Sequence, residues 1–175
     1  MPKIEAPTLE TERLVLRRRK EEDIPSLTKM LNEEPVRQYL GGNPPREEHA
    51  MLKVVRARKQ TDWHILQKDS GTFIGECGIN KITDHYLGEI GYVLMEEYWG
   101  NGFAFEAVQA VIGYSFDLLN LSRLCATIDK NNLRSRKLIE RLGFTLDAVI
   151  PQSDFGGRIA DVAYYSFAKE SRHKK

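Results

Sequence analysis

Apolar and polar positions alternate along "RLVLRRRK" from Arg13, setting Leu14 and Leu16 on one side of an extended segment as a half-buried strand requires. Glu21, Glu22 and Asp23 follow, an acidic cluster that favours a helix N-terminus, and a helix is expected to about Asn32. The stretch "EEPVRQYLGGNPPREEHA" then carries Gly41, Gly42, Pro44 and Pro45, which break regular structure. A polar helix is expected after it, from about Glu47 to Gln60. Three strand-like runs come next, "WHILQK", "TFIGECGINKI" and "LGEIGYVLM", separated by the turn signals "DSG" and "TDH". They predict an antiparallel meander.

From Gly102 the period changes. Ala104, Val108, Val111, Ile112, Ser115, Phe116 and Leu119 recur at helical spacing, so a strand-to-helix transition falls at "EYWGNGFAFEA". A short apolar strand "RLCATI" leads to a helix in which Leu138, Ile139 and Leu142 face inward, with Gly143 suited to the left-handed position that ends it. Two last strands, about Phe144 to Pro151 and Arg158 to Ala168, flank the turn signal "DFGGR", and "SRHKK" reads as a solvated tail. The order is strand, two helices, three strands, then helix, strand, helix and two strands. It predicts one mixed α/β domain spanning residues 1–175.

Composition narrows the class. Twenty-six Lys and Arg against 25 Asp and Glu give a net charge of +1, which argues against direct nucleic-acid binding through phosphate neutralisation. Cys77 and Cys125 form no CxxC pair, and the sequence shows neither an apolar leader nor a run of membrane-spanning length. A cytoplasmic protein without membrane partners is the expectation. His49, His64, His85 and His173 are scattered without ligand spacing, so no metal site is expected.

Two glycines at the mouth of a helix, Gly100 and Gly102, suggest an anion, because the first N–H groups of a helix have no internal partner. A tight turn is the other reading of the same residues. No Gly-Lys pair exists for a P-loop, and "GNGFAF" lacks the third glycine of a dinucleotide fingerprint.

The order of elements, the opening "TERLVLR", and the motifs "LGEIGYVLMEEYWGNGFAFEA" and "NNLRSRKLIERLGF" resemble the GNAT family of acetyl-CoA-dependent N-acetyltransferases. Within it, the branch that acetylates ribosomal-protein N-termini is nearest. The resemblance implies a GNAT fold: a central mixed, mostly antiparallel sheet of about seven strands flanked by four helices. It implies acetyl transfer from acetyl-CoA to a primary amine by direct attack in a ternary complex. In the family a loop of pattern Q/R-x-x-G-x-G/A binds the cofactor pyrophosphate, and Trp99, Gly102 and Ala104 stand at its three defined positions. Trp99 departs from the Gln or Arg expected there. The N–H groups of Gly100, Asn101, Gly102, Phe103 and Ala104 would form the cradle. By the same resemblance the main chain of Tyr92, Val93 and Leu94, ending the presumed fourth strand, would pair with the pantetheine amides, and the N–H of Leu94 would meet the oxyanion. Gly91 would mark a bulge that opens the strand pair.

Asn132 and Ser135 match an Asn-x-x-Ser of related enzymes, in which the Asn holds the cofactor arm and the hydroxyl serves the leaving thiolate; a plain helix N-cap explains the same residues. Arg134, Arg136, Lys137 and Arg141 form a basic helix, mostly a solvated face, from which one or two side chains would meet the 3′-phosphate. The attacking amine must be neutral, which calls for a base, and two carboxylates compete. Glu89 lies in the central strand, where a one-residue register change would turn it to the other face. Asp154 lies in the last hairpin, where it also reads as a turn-forming Asp. A protein N-terminus is the expected acceptor. A small amine (polyamine, amino acid or aminoglycoside) and a non-catalytic acyl-CoA-sensing module are the alternatives, and the chain is expected to be a monomer or homodimer.

Overall fold

The computed structural model describes residues 6–41, 44–57, 61–82 and 87–173. Leu14 and Leu16, fully buried as their alternation predicts, anchor β2 (Leu14–Arg18), which pairs antiparallel with the short β1 (Leu9–Glu10). The chain continues through α1 (Ile24–Asn32), α2 (Glu34–Arg37), α3 (Glu48–Ala57) and the meander β3 (Asp62–Gln67), β4 (Phe73–Ile82) and β5 (Leu87–Leu94). After α4 (Phe103–Asp117) come β6 (Arg123–Asp129), α5 (Leu133–Arg141), β7 (Thr145–Asp154) and β8 (Ile159–Ala168). One sheet results, in the order β1-β2-β3-β4-β5-β6-β8-β7. Among the described residues its only parallel pair is β5 with β6.

The pleat divides the apolar residues between two layers. One face of the sheet packs Trp63, Ile79, Ile90, Leu94, Leu124, Ala126, Ile128 and Tyr165 against α4 and Ile139 of α5. The other gathers Phe73 and Val93 with Ile24, Leu27, Met30 and Leu31 of α1 and Met51 of α3. Trp63, the largest fully buried side chain, donates its indole N–H to the Pro7 carbonyl at 2.7 Å and meets the Tyr114 ring edge-on.

The second face also buries charge. Asp23 accepts two hydrogen bonds from Arg17 at 2.8 Å each and lies 2.7 Å from His64 Nδ1, while Arg19 pairs with Glu76 at 2.8 Å and with Asp62 at 3.4 Å. Burial pushes the Asp23 carboxyl up, but the hydrogen bonds from His64 and Arg17 outweigh it and hold the group well below the usual carboxylate range. The acidic cluster therefore does more than start a helix: residues 21–23 form a 3₁₀ turn, and α1 proper begins at Ile24 with Pro25 in its first turn.

The fold expected by resemblance is present, with two additions. Eight strands replace about seven, because Leu9–Glu10 adds an edge, and five α-helices replace four, because α2 forms inside the stretch expected to be irregular. Pro35 explains the second, since proline in the first turn of a helix forfeits no hydrogen bond. The last hairpin is longer than its proline suggests: β7 runs through Pro151 to Asp154 because register shifts between Leu146 and Ala148 and between Ile150 and Ser153 take up the irregular residues. Gly91 carries no bulge and pairs in regular register with Gly78; the shift in β4 falls between Ile79 and Lys81. Leu119 lies beyond the end of α4, packed against the core. The expected helix end at residues 58–60 and the turn at 83–85 lie outside the described residues. No described helix is long and apolar enough to cross a membrane.

Candidate active site

The parallel pair β5–β6 holds register only from Leu87↔Arg123 to Glu89↔Cys125. Beyond Glu89, β5 stays with β4, whereas β6 continues beside β8 as far as Asp129↔Val162, so a gap opens between them. The Met95 N–H donates to the Ile74 carbonyl of β4 at 3.0 Å. Main-chain groups alternate sides along a strand, so those of Leu94 and Tyr92 face the gap while those of Val93 face β4. The Leu94 carbonyl confirms this, accepting the Trp99 indole N–H at 2.9 Å. Of the three residues expected to meet pantetheine, Tyr92 and Leu94 thus present main chain to the gap, and Val93 instead packs its side chain with α1 and α3.

Beyond β5 a short turn leads to the loop at the mouth of α4. Gly100 and Gly102 both sit at φ +81°, the left-handed region that glycine enters without strain. Gly102 is the N-cap of α4 and no side chain caps the helix, which leaves its first N–H groups, from Phe103 and Ala104 onward, unpartnered by the chain. Asn101 turns its side-chain amide back to the Trp99 carbonyl at 3.3 Å. These donors and the positive end of a 15-residue helix form an anion cradle at one end of the gap.

The N-terminus of α5 stands on the α4 side of the same gap. Asn132 is its N-cap, its Oδ1 accepting the Ser135 N–H at 3.1 Å, so the capping reading holds for that oxygen. The Ser135 hydroxyl reaches Tyr92 Oη at 2.6 Å. Burial pushes the Tyr92 phenol up to about 12, partly opposed by the Ser135 hydrogen bond, so the pair carries its protons at neutral pH. From the residue before Ser135, the Arg134 guanidinium lies 5.0 Å from the Trp99 ring centroid. Trp99, whose one donor is spent on the Leu94 carbonyl, thereby bridges the loop, the end of β5 and a cation from α5.

Glu89 projects from the opposite face of the gap. It shares the side of β5 that carries Val93 and faces α1 and α3, whereas Ile90, Tyr92 and Leu94 face α4 and α5. Thr127 of β6 donates to Glu89 Oε1 at 2.5 Å. Asp154, exposed at the tip of the β7–β8 hairpin, accepts the Gly157 N–H at 2.6 Å, the self-bonded turn that "DFGGR" signals. From the same tip, Arg158 pairs with the buried Asp129 at 2.7 Å, stacks on Phe155 and donates to the Leu40 carbonyl beyond α2 at 3.2 Å. The structure therefore sets Glu89, Tyr92, Leu94, Trp99, the Gly100–Ala104 loop, Asn132 and Ser135 around the gap, and engages Asp154 in its own turn. Thr127, Arg158 and the Tyr92 hydroxyl were missed. Thr127 was visible as the polar alternate of an apolar strand, but its partner is 38 residues away.

Residues 13–145 match the family described as acetyltransferase (GNAT) domain. The uncharacterised N-acetyltransferase p20 of Bacillus licheniformis is 34% identical over 93% of this chain and 96% of its own length. Among solved structures, a spermidine N-acetyltransferase from Vibrio cholerae in complex with CoA and spermine superposes with a TM-score of 0.80 at 20% identity, over 92% of this chain and 98% of that one. A ribosomal-protein-S5-alanine acetyltransferase from Vibrio fischeri gives 0.77 at 22%, over 94% and 98%. At such identities the two structures show the fold alone. With the uncapped helix beside a split parallel pair, the matched domain settles the assignment: the chain belongs to the GNAT family and is an acetyl-CoA-dependent N-acetyltransferase.

Proposed function

We propose that the chain acetylates the N-terminal amine of a protein, a ribosomal protein being the best candidate, with acetyl-CoA held in the β5–β6 gap. The carrying observation is the placement of Glu89 and Ser135 on opposite faces of that gap. Glu89 takes the proton of the amine, directly or through one water, from the side of α1 and α3. The Leu94 N–H supports the developing oxyanion, and Ser135, backed by the Tyr92 hydroxyl, donates toward the departing sulfur. Tyr92 main chain holds the pantetheine arm, and the Gly100–Ala104 loop holds the diphosphate. Arg134, seated on Trp99, adds a cation near it.

Two features favour a chain end over a polyamine. The bridge from Arg158 to Leu40, with Phe155 packed against Gly41, joins the hairpin to the α2 segment on the face that carries Glu89 and gives a peptide end a fixed wall to lie against. Four other carboxylates on that face are matched by guanidinium groups: Asp23 by Arg17, Asp62 and Glu76 by Arg19, Asp129 by Arg158. A polycation gains most from carboxylates not already paired. Thiol release from acetyl-CoA across ribosomal-protein N-terminal peptides, spermidine and amino acids tests the reading; turnover on spermidine alone would replace it with the small-amine alternative.

The loop assignment has its own test. Asp and Asn both tolerate the left-handed backbone of position 102, so comparing them isolates charge. Gly102→Asp should weaken coenzyme A binding by at least about tenfold relative to Gly102→Asn, measured by calorimetry. Equal affinities would remove the diphosphate from this loop.

A further inference from the structure

Within the opening "TERLVLR", Thr11 and Arg13 reach across 95 and 93 residues of sequence to a single carboxylate, Glu106 in the first turns of α4. Glu106 Oε1 accepts the Thr11 hydroxyl at 2.6 Å and the Arg13 main-chain N–H at 2.8 Å, and Oε2 accepts Arg13 Nε at 2.7 Å. The same guanidinium donates through Nη1 to the Asn101 carbonyl at 3.1 Å and lies 4.5 Å from the Phe103 ring centroid. Its Nη2 would be 3.4 Å from a Cβ built on Gly102. One side chain therefore touches or flanks three consecutive residues of the loop that precedes and opens α4.

Resting on the diphosphate reading of that loop, we propose that Arg13 is the positioning residue that pre-organises it. Two physical effects follow from the contacts. Holding the Asn101 carbonyl with a cation keeps that acceptor occupied, so the flanking N–H groups are the ones offered to an anion. Pairing Glu106 neutralises a carboxylate that would otherwise stand near the helix terminus on which two phosphates must settle, and that oppose them. Burial raises the Glu106 carboxyl, but the Thr11 and Arg13 hydrogen bonds outweigh it and keep the group ionised and in need of this partner. An ion pair this exposed contributes little to global stability, so its fourfold engagement is better explained by what it orients. The edge strand β1 and the turn after it are thereby tied to the site rather than serving only to end the sheet.

The test uses the full chain with Arg13→Ala and Arg13→Lys, the second keeping the charge but lacking the fork that spans Glu106 and Asn101. Calorimetry should show coenzyme A bound about tenfold more weakly by Arg13→Ala, with Arg13→Lys between it and wild type. With the acceptor found in the amine screen, kcat/KM for acetyl-CoA should fall by a similar factor through KM. The value for S-acetylpantetheine, which has no diphosphate, should stay unchanged. Equal losses on both donors, or an Arg13→Ala chain that binds coenzyme A like wild type, would overturn the proposal. Should Arg13→Ala fail to fold, the same comparison on Arg13→Lys decides it. A wild-type chain that does not bind coenzyme A would instead overturn the loop reading beneath it.

Discussion

At the scale of single residues, chemistry depends on which face of the gap each group occupies. Sequence alone left Glu89 ambiguous because a strand has a period of two and nothing local fixes its phase. Val93 resolves it, since its burial among α1 and α3 side chains fixes the face on which Glu89 lies. Glu89→Gln should therefore lower kcat/KM about a hundredfold near neutral pH and abolish the acidic limb of the profile, whereas Asp154→Asn should keep both. Retention of that limb in Glu89→Gln would deny the residue a role as base. If Ser135 serves the leaving thiolate as proposed, Ser135→Ala should reduce kcat by a similar factor with coenzyme A affinity intact, because a hydrogen bond to sulfur strengthens only as the thioester breaks. Wild-type turnover with a lower melting temperature would identify a helix-start hydroxyl instead. The motifs made Asn132 and Ser135 legible; the Tyr92 hydroxyl was not, because only the fold brings a residue of β5 to within 2.6 Å of α5.

Elements were legible where one period dominates. The meander, α4 and α5 follow from alternation and helical spacing, while α2 was hidden by the turn formers that surround it in sequence. The acidic run at 21–23 shows how a local signal understates a long-range one: Asp23 is a helix-start residue by composition, yet it is buried between Arg17 of β2 and His64 of β3. Removing its charge leaves the part-buried Arg17 guanidinium with only the more distant Glu22, 3.8 Å away, so Asp23→Asn should cost about 2 kcal/mol at pH 7, measured by urea unfolding. The pH dependence has a definite sign. A carboxyl lowered by folding contributes stability above its unfolded value of about 3.9, and that contribution is lost as pH falls through the lower folded value. Wild type and Asp23→Asn should therefore converge as the medium is acidified below about pH 4. A constant difference down to pH 2 would mean the network acts through packing alone.

For the whole molecule, the sheet brings its first and last segments to the same opening. The α2 segment, early in the chain, and the β7–β8 hairpin, near its end, meet where Arg158 ties Asp129 to the Leu40 carbonyl. No local pattern announces this contact across 118 residues; "DFGGR" read only as a turn. On the proposed reading, its position on the Glu89 face would separate acceptor selection from cofactor binding at the Gly100–Ala104 loop. Arg158→Ala should then leave coenzyme A affinity within about twofold of wild type, because the partners of Arg158, Asp129 and the Leu40 carbonyl, lie outside the Gly100–Ala104 loop. It should raise KM for an N-terminal peptide about tenfold and raise relative turnover on spermidine, since the bridge orients the chain end. The Asp129 carboxylate, which also accepts the Asn131 N–H at 2.8 Å, would lose its cation, so a conservative Arg158→Lys that restores charge without the hydrogen bond to Leu40 separates the two effects. If Arg158→Lys recovers the peptide KM fully, charge balance at Asp129 is what the arginine supplies. If KM stays high while the fold is intact, the bridge to Leu40 sets which amines reach Glu89.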